Sequence, residues 1–324
     1  MHQIAAELPE FDQSFSAYYC DGLMEVCRKM GLLEFAIVGN RYVRRCSDYF
    51  RANGLHEDFQ GKEGPYDLVI TCSDLIIPSN IQGKTVVLVQ EGMTDPENIF
   101  YHLAKSFKFM PRWLASTSTT GLSDAYRYFC VASNGYRDLF IGKGVRSEKI
   151  IVTGIPNFDN CQKYLVNDFP HHHYVLVCTS DSRETFKWEN RKAFIRRAVK
   201  IANGRQLIFK LHPNENAERA TQEVNTYAPG ALVYASGNTE EMIANCDVLI
   251  TGWSSVVYVG IALGKEVYSN FDVDELRRLA PVQNASAAKN IAALCRAVLE
   301  RNGTSRREAL PLQAEMISRQ GATL

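Results

Sequence analysis

Short apolar runs that end in Gly, Pro, Ser or Thr recur along this chain and alternate with segments of helical period; that alternation most constrains its fold. Runs that are apolar on both faces suit the buried strands of a parallel sheet. Strands are predicted at 35–38, 66–71, 85–89, 128–132 and 149–152, then at 174–178, 206–211, 231–235, 247–251 and 266–269. Helices are predicted over 13–30, 41–51, 136–141, 190–202, 214–227, 239–244, 255–263 and 286–301. Strands alternating with helices imply parallel sheets with right-handed crossovers. The expected class is α/β, with two Rossmann-like domains facing across a cleft.

At 324 residues the chain is long enough for two cores. The rhythm breaks between Asn157 and His173, so the domains are placed at 1–160 and 174–324, with 161–173 as linker. The triplet His171-His172-His173 within it suggests metal binding, but three adjacent side chains on an extended chain cannot point one way. A solvated linker is the reading preferred.

Net charge is zero, which gives no support to nucleic-acid binding. No apolar run approaches the length of a membrane span, and the first ten residues lack the layout of a signal peptide. Nine scattered cysteines, without a C-x-x-C pair, fit a reducing, cytoplasmic setting. Two stretches, 41–51 and 105–112, mix basic and aromatic residues and motivate peripheral contact with an anionic membrane; ordinary solvated faces are the plainer reading. Oligomeric state is not legible.

The chemistry-bearing residues cluster at strand ends, where open α/β sheets bind ligands. Gln206-Leu-Ile-Phe209 runs into Lys210, His212 and Pro213, and Cys246-Asp-Val-Leu-Ile-Thr251 runs into Gly252-Trp253-Ser254-Ser255. An imidazole at one edge, and hydroxyls capping a helix at another, suit a phosphate-bearing ligand. Thr179, Ser180 and Arg183 follow the first strand of the second half and can hold a phosphate or ribose. In the first half, Val89-Gln90-Glu91-Gly92-Met93-Thr94 places Glu91 at a strand's carboxyl end, where a carboxylate of raised pKa can act as general base. Gly154 permits a tight turn or close ligand approach, and Asn157 and Asp159 can reach the cleft; a plain interdomain hinge is the other reading of this stretch.

These residues resemble a known superfamily. Lys210-Leu-His-Pro213, Asp247 to Val256 and Ala262-Leu-Gly-Lys265 look like the C-terminal domain of GT-B glycosyltransferases. The branch most similar comprises CDP-glycerol glycerophosphotransferases and capsule transferases using CMP-activated sugars. Gln90-Glu91-Gly92 matches that group's acidic-acidic-glycine motif, with glutamine in place of the first acid. The resemblance covers roughly residues 85–270. It implies an inverting, metal-independent transfer, with Glu91 and His212 catalytic and Lys210, His212, Pro213, Ser254 and Ser255 at the donor phosphates. It also implies Gly92, Thr94 and Asn157 near the substrate, a nucleotide-activated sugar or polyol phosphate as donor, no separate cofactor, and a glycan or lipid-linked acceptor. UDP-N-acetylglucosamine 2-epimerases resemble the chain more distantly, through Val89 to Gly92, Val152 to Pro156 and His212-Pro213-Asn214. That family's glutamate pair is missing, since Val256-Val257-Tyr258 stands after the serines. An epimerase, a hydrolase or a non-catalytic binding subunit are therefore the alternatives.

Overall fold

In the computed structural model, described for residues 1–34, 36–107, 110–184 and 188–303, every strand is parallel to its neighbours. The chain divides into two compact units, Met1–Pro156 with the segment from Ser286 onward, and Asn157–Ala285.

The first unit opens with α1 (His2–Ala6), α2 (Gly22–Lys29) and α3 (Asn40–Ala52). A four-stranded sheet follows, built from β1 (Val69–Thr71), β2 (Val86–Val89), β3 (Tyr128–Val131) and β4 (Ile150–Val152) in that spatial order. Between strands lie α4 (Ile99–Ser106), a 3-10 segment (Arg112–Thr119) and α5 (Asn134–Lys143).

The second unit carries β5 (Val175–Cys178), α6 (Arg191–Ala202), β6 (Leu207–Lys210), α7 (Ala217–Tyr227), β7 (Leu232–Tyr234) and α8 (Thr239–Asn245). Then come β8 (Val248–Thr251), α9 (Val257–Ala262), β9 (Glu266–Tyr268) and α10 (Val273–Leu279). The sheet order is β7-β6-β5-β8-β9, the Rossmann arrangement. β5, β6 and β8 are buried along their whole length, as their unbroken apolar runs require. Val175, Val177, Phe209, Val248 and Ile250 build the core with Ile195 and Ala198 of α6 and Val224 of α7. Helices α4 to α8 and α10 each start on an Asn, Ser or Asp cap whose side chain accepts a backbone N–H.

Several expectations are corrected. Only Gly22–Lys29 of the helix expected over 13–30 forms. Residues 13–21 run non-helical, and Phe15 bridges Glu57 in parallel. Ala36–Val38 is turn rather than strand, with Phe35 outside the described residues. The segment taken as linker belongs to the second unit: Cys161 is buried, and Asn167 and Asn245 exchange side-chain amide bonds of 2.9 and 3.0 Å. The three histidines there have separate surroundings. His171 Nε2 lies 2.9 Å from Tyr234 Oη, His173 Nδ1 lies 3.1 Å from Asp247, and His172 is exposed.

Packing also differs from the expected 174–324 domain, because α11 (Ala287–Gly303) lies in the first unit. Its apolar face, with Ile291, Leu294, Cys295 and Val298, is buried, and it contacts α1. Asn290 donates to the Thr153 carbonyl at 3.2 Å, and Arg296 pairs with Glu10. The tail beyond Gly303, expected to be a returning helix or a loose end, falls outside the described residues. Among the described residues no helix is long and apolar enough to cross a membrane.

Candidate active site

In the second unit the carboxyl edge gathers most of the expected donor residues. Cys178 pairs in register with Lys210 on one side and Thr251 on the other, so three strands end level. Connections run outward from β5 towards β7 and from β8 towards β9, making the β5–β8 gap the switch point where such sheets hold ligands. Thr179, His212 and the 252–255 loop leave the sheet at this edge.

Thr179 organises it. Its hydroxyl donates to Glu215 Oε2 at 2.5 Å and accepts the His212 backbone N–H at 3.0 Å. His212 is half-buried, and its Nδ1 accepts the Asn214 backbone N–H at 3.2 Å. The neutral ring therefore carries its proton on Nε2, the nitrogen suited to donate to an anionic ligand. Asp181 accepts from Asn214 Nδ2 at 3.1 Å, which steadies the residue whose backbone N–H holds the imidazole. Pro213 follows at the strand end.

Lys210 is buried, donates to the Leu211 carbonyl at 2.9 Å, and has its pKa lowered by desolvation. Ser180 contacts Ser182 at 3.0 Å and Glu189 at 3.3 Å. Arg183, expected on a phosphate, is engaged internally: it makes a two-pronged pair with Glu223 at 2.7 and 2.9 Å and reaches Glu215 at 3.4 Å. Glu215, read from sequence as a helix start, is instead a fully buried carboxylate held by Arg191 at 2.6 Å.

The serines do not cap a helix as expected. α9 starts after Val256 without a side-chain cap, and Ser254 Oγ lies 3.5 Å from the Val256 N–H. Their carbonyls, not their hydroxyls, accept from Val257 and Tyr258. Gly260 brings α9 down onto the sheet, since a Cβ there would lie 2.7 Å from Leu249 Cδ2 and 2.9 Å from Val267 Cγ1. Beside them the Thr251 hydroxyl is buried without a hydrogen-bond partner, an uncommon state for such a group.

In the first unit β2 ends in Gln90 and Glu91. Gln90 is 2 % exposed; its Nε2 donates to the Gly92 carbonyl at 2.8 Å and its Oε1 accepts the Ala132 N–H at 2.9 Å. The turn carrying Glu91 is thereby tied to the end of β3. Glu91 keeps solvent contact, but desolvation raises its carboxyl above the ordinary 4.5, and that contact limits the size of the shift. Thr94 is half-buried. Asp95 steadies the loop, accepting from Ser116 Oγ at 2.7 Å and Thr117 Oγ1 at 2.9 Å.

Sequence reasoning missed a cavity of ≈ 390 Å³ in this unit, lined by β1 together with Tyr18, Tyr19, Tyr66, Ile76 and Asn80. Thr71 and Ser73 line it on either side of Cys72, whose thiol is pushed up to about 11 by burial and by the Glu91 charge.

Asn157 is exposed at the start of the second unit, while Asp159 accepts the Asn284 and Ala285 N–H groups at 2.9 and 2.8 Å. Asp159 thereby joins the points where the chain enters and leaves that unit. Among the described residues no cluster of His, Cys, Asp and Glu is arranged to hold a metal.

No protein-family model and no curated protein matches the chain in sequence. Solved structures are similar in fold. An S. aureus MnaA–UDP co-structure superposes with a TM-score of 0.50 at 10% identity, covering 82% of this chain and 80% of that one. The wall teichoic acid polymerase TagF gives 0.48 at 11% identity, over 76% of this chain and 78% of that one. A UDP-GlcNAc 2-epimerase from Neisseria meningitidis bound to UDP-GlcNAc gives 0.48 at 12% identity, over 78% and 80%. The fold is of the GT-B type, two parallel α/β units in one chain.

Proposed function

We propose that this chain is a GT-B enzyme that transfers a sugar or polyol phosphate from a nucleotide-activated donor to a hydroxyl of a glycan or lipid-linked acceptor. The observation that carries the reading is the edge of the second unit. His212 is held there by Thr179 and Asn214, with the buried, unpartnered Thr251 hydroxyl on the adjoining strand end, at the switch point of a Rossmann sheet. The UDP named in the S. aureus MnaA co-structure fits the same class of ligand.

In this reading His212 Nε2–H, Ser254 and Ser255 hold the donor phosphates, and Lys210, Thr179 and Pro213 shape the edge beneath them. Glu91 takes the proton from the acceptor hydroxyl, and the acceptor oxygen bonds to the transferred group. The bond from that group to the nucleotide's phosphate oxygen breaks, its electron pair leaving with the nucleotide. Gly92, Thr94 and Asn157 border the substrate, and the cavity beside β1 takes part of the acceptor. The donor is a substrate, and the reading requires no cofactor.

The test is a panel of CDP-, CMP-, UDP- and GDP-activated donors, scored for nucleotide release with and without glycan and lipid-linked acceptors. One donor should release its nucleotide only with acceptor, and Glu91→Gln should slow that about 100-fold or more. An epimer or free nucleotide formed without acceptor would replace transfer with epimerisation or hydrolysis. Turnover unchanged in Glu91→Gln would remove Glu91 as base.

A further inference from the structure

β1 carries the sequence Val69-Ile70-Thr71, yet all three residues are only half-buried, whereas every residue of the neighbouring β2 is buried. β1 is the outer strand of its sheet, and the ≈ 390 Å³ cavity lies against it. Leu68, Val69, Ile70, Ile76, Ile77 and Ile81 line that space and are half-buried throughout. Aliphatic groups in this state gain from an apolar occupant that removes them from water.

The polar groups of the wall are bound to one another and to nearby backbone. Tyr18 Oη donates to the Ile76 carbonyl at 2.9 Å and accepts the Ile76 N–H at 2.7 Å and the Ser73 hydroxyl at 3.3 Å. Tyr19 Oη donates to Asn80 Oδ1 at 2.9 Å, and Asn80 Nδ2 donates to the Gln60 carbonyl at 2.7 Å. Asp58 accepts from Tyr66 Oη at 2.5 Å and from the Lys62 and Glu63 backbone N–H groups at 2.8 and 3.0 Å. Ser16 and Thr71 donate to the Ala17 and Ser73 carbonyls, both at 2.9 Å. Burial pushes the Tyr18 phenol up to about 12, as a wall poor in water does.

A sugar ring brings several hydroxyls that each need a partner once water is removed, and this wall has few donors left to give. An aliphatic chain needs none. The volume lies within the range of small-molecule sites, whose walls are mostly aliphatic and aromatic.

We propose that this cavity holds the aliphatic chain of a lipid-linked substrate, laid along β1 with residues 14–19 and 76–81 as its other walls. The assignment of that substrate as the acceptor rests on the transferase reading, and within it selects a lipid-linked acceptor over a free glycan. Thr71, at the carboxyl end of β1, pairs in register with Leu88 of β2, so a chain along β1 can keep its polar head at the sheet's carboxyl edge. The basic and aromatic stretches 41–51 and 105–112 take no part in the cavity wall; of the latter, Lys108 and Phe109 lie outside the described residues.

The test is calorimetric titration of the full chain with butanol, hexanol and octanol, and with glycerol and glucose, uncharged probes that avoid any phosphate site. Affinity should rise about 10-fold for each two methylenes added, with a negative heat-capacity change, and neither glycerol nor glucose should bind. Geraniol bound more tightly than decanol would make the chain an isoprenoid, and the reverse a saturated acyl chain. Ile81→Trp and, separately, Ile77→Trp fill the space and should weaken octanol binding about 10-fold or more, with melting temperatures checked for each. Affinity independent of chain length, glucose bound as tightly as octanol, or octanol bound equally by both filling variants overturns the proposal. Chain binding without donor-dependent transfer would keep the cavity's occupant and remove the transferase reading. Transfer to a soluble glycan with no chain binding would keep that reading and overturn the proposal.

Discussion

Gln90 Nε2 donates to the Gly92 carbonyl at 2.8 Å, so the turn that presents Glu91 is braced by the residue before it. The other end of the same carboxamide accepts the Ala132 N–H at 2.9 Å. A carboxylate could accept but not donate, which gives a physical reason for glutamine where the resembling family has an acid. Gln90→Glu should leave the Gly92 carbonyl unpaired and place a charge in a buried site. The expected cost is about 1–3 kcal/mol in thermal melting, with slower turnover and unchanged nucleotide affinity. Unaltered melting and turnover would show that the brace does not position Glu91.

The raised pKa of Glu91 carries a stability consequence of definite sign. Its folded-state value lies above its unfolded one, so its contribution is fully present below the ordinary 4.5 and lost as pH rises through the folded value. Glu91→Gln should therefore melt slightly higher than wild type at neutral pH, with the difference vanishing towards pH 4, while transfer is lost. In wild type the acid limb of kcat/KM should lie above the ordinary carboxylate value. Melting curves across pH check the first expectation and a pH–rate profile the second.

Glu215 is the buried hub beneath His212. Glu215→Ala removes the 2.6 Å partner of Arg191, whose side chain is 4% exposed, and frees the Thr179 hydroxyl. Glu189 still lies 3.1 Å from Arg191, so the loss of the charged hydrogen bond from Glu215 should destabilise the second unit by about 1–3 kcal/mol. Glu215→Leu combined with Arg191→Met should recover much of the loss, as replacing both members of a buried pair often does. Equal instability of the single and double variants would contradict this.

Gly260 sets the height of α9 over the sheet, and with it the 252–255 loop. Gly260→Val should meet Leu249 and Val267 and cost about 1–3 kcal/mol, with weaker nucleotide binding. Calorimetric titration alongside melting separates the two effects.

The fold was largely legible because β5, β6 and β8 are continuous apolar runs, and such runs in parallel sheets carry their own signature. Their polar ends, at Thr179, His212 and Thr251 to Ser255, were legible as a ligand edge for the same reason. What escaped was long-range. The apolar stripe of α11 shows that it packs, not against which sheet, and it lies in the first unit. The spacing of Leu23, Val26 and Met30 is helical as read, yet that face is exposed, because periodicity reports a face and not its cover. From sequence Arg183 reads as a phosphate or ribose ligand and Glu215 as a helix start, and their mutual engagement escapes because burial of an ion pair depends on partners far apart in sequence. The β1 cavity gave no local pattern at all, since its walls come from two stretches far apart in sequence, 14–19 and 58–84.

The most direct test of the account is nucleotide binding at the second unit's edge, measured by thermal shift with CMP, CDP, UDP, GDP and ADP on wild type and His212→Ala. A ligand at 100 times its Kd should stabilise the state it binds by about 2.7 kcal/mol. One nucleotide should raise the melting temperature of wild type, and His212→Ala should lose that shift while melting like wild type without ligand. No shift with any nucleotide, or an equal shift in the variant, would contradict the assignment of the donor site to His212 and the strand ends around it.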